Sequence, residues 1–300
     1  MKRLLSVLIA VTFFSVSFSQ TLKPYILGST FKGEMAEAKS GIKTGLEAEG
    51  FKITGEYMPA SDASRWVITV SHPALDKAVS KVKGLTGFAA VLRVALTEEN
   101  GVINITYTDP EYWGNAYFRN DFDKVKSYYK ELGAAFQNAT GTVGEQKNTA
   151  FGSKKGIKIG NLRKYHYMFG MPYFDDTEEL GDFDSHNEAV AAIDKAFAEG
   201  RPGVKMVYKY TVPGTTLTLY GVALTGENGE KNFLPKIDLD SPKHTASLPY
   251  EMLVKDNEVL MLHGRFRIAL SFPDLTMGTF TKIMSTPGDI EDLLQQLVED

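Results

Sequence analysis

No cysteine occurs anywhere in the 300 residues. That excludes disulfides, cysteine nucleophiles, thiolate metal sites and a lipidated N-terminal cysteine. Histidine is scarce: His72, His166, His186, His244 and His263 are all there are. None stands in an H-x-x-x-H or H-E-x-x-H spacing, so neither a metal nor a cofactor is expected. Positive charge is not in excess. The formal net charge of −4 argues against general binding to nucleic acid or anionic membrane, which needs a basic footprint. There is no G-x-S-x-G elbow. Gly152–Gly160, GSKKGIKIG, lacks the G-K-[ST] ending of a phosphate loop.

What is there begins with MKRLLSVLIAVTFFSVSFSQ. Lys2-Arg3, the apolar stretch Leu4–Val16 and the small Ser17 and Ser19 ahead of Gln20 read as a secretory signal peptide. An uncleaved anchor is the competing reading, but the apolar run is short for a span, and none of membrane length follows. Cleavage would leave a periplasmic or secreted chain with no membrane span, at a net charge of about −6 once Lys2 and Arg3 are gone. A hydrophobic content of 43% is that of a globular chain, and this length can build a core without disulfides.

Two similar halves follow. In the first, Tyr25–Ser29 reads as a strand and Glu34–Gly50 as an amphipathic helix with Met35, Ala38, Ile42 and Leu46 on one stripe. Phe51–Tyr57 reads as the next strand. In the second, Lys164–Gly170 reads as the strand, Ser185–Gly200 as a helix opened by a Ser185/Glu188 capping box, and Val204–Tyr210 as the next strand. Trp66–Ser71 then leads into a helix with Pro73 in its first turn. The equivalent strand of the second half leads instead into a loop-like insert, Thr225–Ser247. Each half continues as a hairpin, with turns at Glu99-Asn100-Gly101 and Asp256-Asn257, and closes on a helix. The later hairpin's second arm is predicted as one long strand through RFRIALS to Pro273-Asp274, matching the earlier arm that stops at Asp109-Pro110. Asn138–Asn161, rich in Gly, Lys and Thr, has linker composition.

The succession of LEAEGF at a helix end, SHPAL at a strand-to-helix turn, and RV....ENG.I.I...DP across a hairpin resembles the "domain of unknown function 302" family. The resemblance is clearest from Ile42 to Pro110 and continues in the second half through LPYEMLV and the Pro-Asp close. It implies a small two-layer α+β domain and no known activity. The expected fold is α+β, two tandem two-layer domains, each a small, mostly antiparallel sheet with helices packed on one face. The expected division is a signal peptide at 1–19, a first domain at 20–140, a linker at 141–161 and a second domain at 162–300. Their shared element order suggests packing as an internal pseudo-dimer.

Several residues are candidates for a site. Ser71 and His72 stand where a helix N-terminus offers free N–H groups to a ligand; a capping role competes, and adjacent Ser and His do not supply triad geometry. Asp109 is followed by Tyr112 and Trp113, as in a sugar or apolar cleft, or as in a core that packs a helix on a sheet. Arg93, Arg265 and Arg267, read as exposed on strands, suit a carboxylate or phosphate; pairing with acids such as Glu251 is the alternative. The acidic run Phe174–His186 reads as a solvated loop. The expected function is a non-enzymatic ligand-binding or accessory module of the cell envelope, its partner a small molecule or an envelope protein. The alternatives are a hydrolase or isomerase using His72 with Asp109 or Glu111, and an interaction module using sheet edges.

Overall fold

The computed structural model describes residues 20–299. The predicted signal peptide lies outside the described residues. Among them, no helix is long and apolar enough to cross a membrane.

Six strands form the first sheet: β1 (Tyr25–Phe31), β2 (Lys52–Tyr57), β3 (Arg65–Ser71), β4 (Leu92–Glu99), β5 (Val102–Thr108) and β6 (Glu145–Phe151). Their order is β2-β3-β4-β5-β1-β6, and every pairing is antiparallel. Helices α1 (Met35–Ala48), α2 (Pro73–Val82), α3 (Pro110–Phe118) and α4 (Lys126–Gly141) accompany it. The second sheet holds β7 (Thr177–Asp182), β8 (Val204–Thr211), β9 (Leu217–Leu224), β10 (Tyr250–Lys255) and β11 (Glu258–Leu262), in the order β8-β9-β10-β11-β7. Its longer helices are α5 (His186–Glu199), α6 (Glu230–Ile237), α7 (Gly264–Ser271) and α8 (Thr286–Gln295). Set aside β6, the two-residue ladder of Thr21–Leu22 with Ile157–Lys158 and the shorter helical turns, and both halves run β-α-β-β-α-β-β-α-α with the same strand order.

The correspondence extends to irregularities. The β2–β3 ladder skips Thr54 and the β8–β9 ladder skips Val207. The β1–β5 ladder skips Gly28 and the β7–β11 ladder skips Leu180. A bulge adds one unpaired residue and increases local twist, so two bulges in the same ladders give the two sheets the same bend. The register also fixes equivalent positions. Leu92 faces Val70 and Tyr250 faces Val222, so Arg93 corresponds to Glu251. Counting on through the hairpins, Asp109 corresponds to His263 and Trp113 to Arg267.

The architecture is layered. Side chains alternate across a strand, so Val94 and its partner Tyr107 share one face of the first sheet, and Tyr107 stacks on Phe136 of α4 with ring centres 4.7 Å apart. Ile42, Leu46, Leu75, Val79 and Leu132 fill this layer. In the second sheet Val222, Met252 and Val259 pack with Ile193 of α5 and Leu294 of α8. The remaining faces turn toward the other half. Leu219, Leu253 and Leu260 belong to the same buried cluster as the first half's Phe88, Ala95 and Trp113.

Four expectations are corrected. Gly264–Ser271 is a helix, not the end of a strand. It is buried on almost every side, so Phe266, Ile268 and Leu270 present an alternation that helical periodicity cannot override. Lys164–Gly170 is not a strand; β7 lies instead in the acidic run. Of its residues only Leu180 is buried, so its acids conceal an edge strand. Glu145–Phe151 is not linker but strand β6, paired with β1 and almost wholly exposed, which removes any apolar period. The second half's insert does contain a helix, α6, with Pro235 inside it. The predicted turns hold: Asn100 and Gly101 both have positive φ, as does Asp256.

Candidate functional site

Half of the predicted site residues, Arg93, Tyr112, Trp113 and Arg267, lie in the interior between the halves. Arg93 is 1% exposed, Trp113 1%, Arg267 3% and Glu251 5%. Arg93 pairs with Glu251 across the two sheets, and the Tyr208 hydroxyl donates to the same carboxylate at 2.7 Å. Burial pulls the Arg93 pKa down, while Glu251, Tyr208 and Tyr117 pull it up and prevail, so the guanidinium stays charged. Arg267 lies 4.9 Å from the Trp113 ring centre and donates to Ser271 Oγ and the Ser247 carbonyl. Tyr112, also buried, donates to the Leu270 carbonyl at 2.8 Å. These residues lock the halves together. None of the concavities described below is lined by them. The exposed strand positions expected for the arginines are therefore corrected: Arg93 is covered, and Arg265 and Arg267 lie on a helix, where residues two apart face different ways. Arg265 is exposed.

Ser71 and His72 are buried at the β3–α2 junction. His72 Nδ1 accepts from Ala74 N–H at 3.0 Å, and Nε2 lies 3.3 Å from the Glu49 carbonyl. Both ring nitrogens are thus engaged by backbone, and the general base of the hydrolase alternative is occupied. Asp109 caps α3 by accepting from Glu111 N–H at 2.9 Å. Burial lifts its carboxyl to about 7, against the pull of two backbone N–H groups. It lines a depression of about 350 Å³ with Glu111, Lys126, Tyr129 and Lys130. Its equivalent His263 caps α7 in the same way, accepting from Arg265 N–H at 3.1 Å. The repeated capping marks Asp109 first as a structural position. A wider depression of about 520 Å³, at Lys83–Gly84, Gly214–Leu217 and Lys255–Asp256, is framed by loop tips.

The residue that sequence reasoning missed is His244. It is 6% exposed and sits in the connection between α6 and β10. Its ring stacks on Phe272 at 4.8 Å and packs against Tyr25 at 5.0 Å. Nδ1 lies 3.1 Å from the Ser271 carbonyl, an oxygen that only accepts, so Nδ1 carries the proton. Burial lowers the pKa and keeps the ring neutral, against the upward pull of Asp238, the Ser271 carbonyl, Asp240 and Asp274. Nε2 is therefore a bare acceptor. It has no partner in the protein and is not among the occluded polar atoms, so it opens onto the concavity of about 200 Å³ that the ring lines. Asp238, Asp240, Asp274, Lys154, Thr276 and Thr279 share that wall. Asp238 holds one bond on each oxygen: one pairs with Arg65, the other accepts from His244 N–H at 2.8 Å. Asp274 accepts from the Ser153 hydroxyl at 3.1 Å and Lys154 N–H at 2.6 Å, tying the segment after β6 to the rim. No motif announced this site; a lone histidine in an irregular insert carries no spacing signal.

Fold and concavities together define an α+β protein of two like-built halves. No family model matches the chain, and no curated protein is significantly similar to it. Among solved structures it is similar to an uncharacterized conserved protein, DUF302, from Bacillus stearothermophilus, at 16% identity and a TM-score of 0.34, over 39% of this chain and 97% of that one.

Proposed function

We propose that the chain is a non-enzymatic ligand-binding module of the cell envelope, made of two copies of one domain closed on each other, with the ligand site in the second copy at His244. The observation that carries this reading is the bare Nε2 of a buried, neutral imidazole on the wall of a polar concavity. A ligand donor that enters the concavity meets this acceptor without having to displace a bond within the protein. The occupied nitrogens of His72 weigh against the hydrolase alternative. Export rests on the predicted leader, and mass spectrometry of the extracytoplasmic protein should give Gln20 as its first residue.

The binding reading is tested by a thermal-shift screen of the chain from Gln20 onward against sugars, amines, nucleotides and metals. A compound that binds only the native state raises Tm. The expected hit loses its effect in His244→Gln. Silence across a broad library would refute the reading.

A further inference from the structure

Residues 166–173, HYMFGMPY, run between the first half and β7 and carry an imidazole and two thioethers in the spacing H-x-M-x-x-M. Met168 is 41% exposed and Phe169 fully exposed, so neither fills a core. Met171 N–H donates to the Met168 carbonyl at 3.0 Å. Gly170 between them has φ 78°, and Phe169 is not among the residues of positive φ, so the four residues form a type II turn. That turn holds the two methionine Cα atoms within about 7 Å of each other. Each methionine arm has three rotatable bonds, so both sulfurs can reach one ion. The His166 ring packs on Tyr173 with ring centres 4.5 Å apart, which closes the loop a second time, just outside the turn. Tyr165 and Tyr167 donate to the Ala269 and Leu275 carbonyls at 2.9 and 2.7 Å and fix the loop's base. Between them, the His166 ring makes no hydrogen bond among the described residues, and neither of its nitrogens is occluded.

We propose that this loop binds one soft monovalent cation, copper(I) or silver(I), through the Met168 and Met171 sulfurs and a nitrogen of His166. The spacings that argue against a metal in this chain count histidines and acids. No group of three or more His, Asp or Glu side chains among the described residues is placed to hold an ion. Thioethers stand outside that count and select a different ion: soft sulfur favours copper(I), while carboxylates and carbonyls suit hard divalent ions. In a chain without cysteine, methionine is the soft sulfur ligand that remains. Three neutral ligands leave a single positive charge on the site, a smaller burden than a divalent ion would bring. Two independent observations support the site: the turn that brings two methionines together, and the unbonded imidazole at the second closure. The loop shares no residue with the concavity at His244 and does not depend on its reading.

The test is anaerobic titration of the chain from Gln20 onward with copper(I) in competition with a chromophoric copper(I) chelator, beside a calorimetric titration with zinc(II). One copper(I) per chain should be taken from the chelator, and zinc(II) should not bind at the loop. Met168→Leu with Met171→Leu, which keeps the loop apolar, should weaken copper(I) about a hundredfold or more, since even changes outside the ligand shell cost about 10- to 100-fold. His166→Gln should weaken it about tenfold or more. Met277→Leu with Met284→Leu, at exposed methionines outside the loop, should change nothing. If no copper(I) binds, or binding ignores the loop substitutions, the site is refuted. Equal losses from both methionine pairs would mean adventitious thioether binding and would refute it too. If zinc(II) binds in place of copper(I) and is lost in His166→Gln, the soft-ion class is overturned.

Discussion

The two halves share strand order, bulges and capping positions, yet differ where they meet. Tyr57 and Tyr210 occupy equivalent places on β2 and β8. Tyr57 donates to Glu230 of the second half's α6 at 2.9 Å, and Tyr210 donates to Asp76 of the first half's α2 at 2.7 Å. Such i-to-j and j-to-i contacts characterise an interface built on a two-fold axis. Near that axis a residue faces its own counterpart, and there the symmetry breaks. Arg93 meets its equivalent Glu251, and Trp113 meets its equivalent Arg267. Identical arginines at either point would put two like charges together in the interior. Off the axis, symmetry costs nothing and persists; on it, the sequences have diverged to opposite charge or to a cation over a ring.

The largest expected effect breaks this central contact. Glu251→Ala would leave Arg93 buried and unpaired, and should cost about 3–5 kcal/mol in urea denaturation. Replacing both partners by methionine should come within about 1 kcal/mol of the parent chain, or exceed it. If Glu251→Ala proved as mild as the double substitution, the pair would not be the lock between the halves.

Next comes the reciprocal tyrosine pair. Glu230 is buried and also accepts from Ala60 N–H and Leu224 N–H, so Tyr57→Phe removes one of its few partners and should cost about 1–2 kcal/mol. Asp76 is only partly covered and can take water in place of Tyr210, so Tyr210→Phe should cost less than about 1 kcal/mol. Equal losses would mean that the two contacts are more alike than their burial indicates.

How much of this was legible in the sequence follows from burial. Helices α1, α2 and α5 each bury one stripe and expose the other, and their periodicity showed. Helix α7 buries nearly all of itself and β6 buries almost nothing, so neither displays a period, and both were misassigned. Arg93, Trp113 and Arg267 stood out because such residues suit binding sites. They suit a buried interface equally, and a linear sequence does not say which acid Arg93 will meet. His244 was passed over because its site is assembled from the α6–β10 connection, the Phe272–Thr279 stretch and Lys154, segments distant in sequence.

A smaller effect concerns pH. Burial raises both Asp109 and Glu230 to about 7. Their folded-state values lie above the unfolded ones, so between about pH 4 and 7 the native state holds protons that the unfolded chain has released. Stability from these groups therefore falls as pH rises across that window and levels off above it. Asparagine can cap α3 as aspartate does, so Asp109→Asn should raise Tm by a few degrees at pH 8 and leave it unchanged near pH 4. A pH-independent shift would refute the raised carboxyl.

The smallest effect separates the first helix of each half. Ser185 caps α5 by accepting from Glu188 N–H at 3.3 Å, whereas Glu34 at the equivalent place before α1 makes no side-chain capping bond. Both helices end against a glycine with positive φ, Gly50 and Gly200, so the two differ chiefly at their starts. Ser185→Ala should cost about 1 kcal/mol, because an N–H of the first turn loses its acceptor. Glu34→Ser should gain about 0.5 kcal/mol: it adds that acceptor but gives up a carboxylate that favours the positive end of the helix dipole. Two opposite shifts of unequal size in thermal melts would show that the repeat left one cap unfinished. Two losses would mean that Glu34 stabilises α1 through its charge, and that the halves solve the same helix start by different physics.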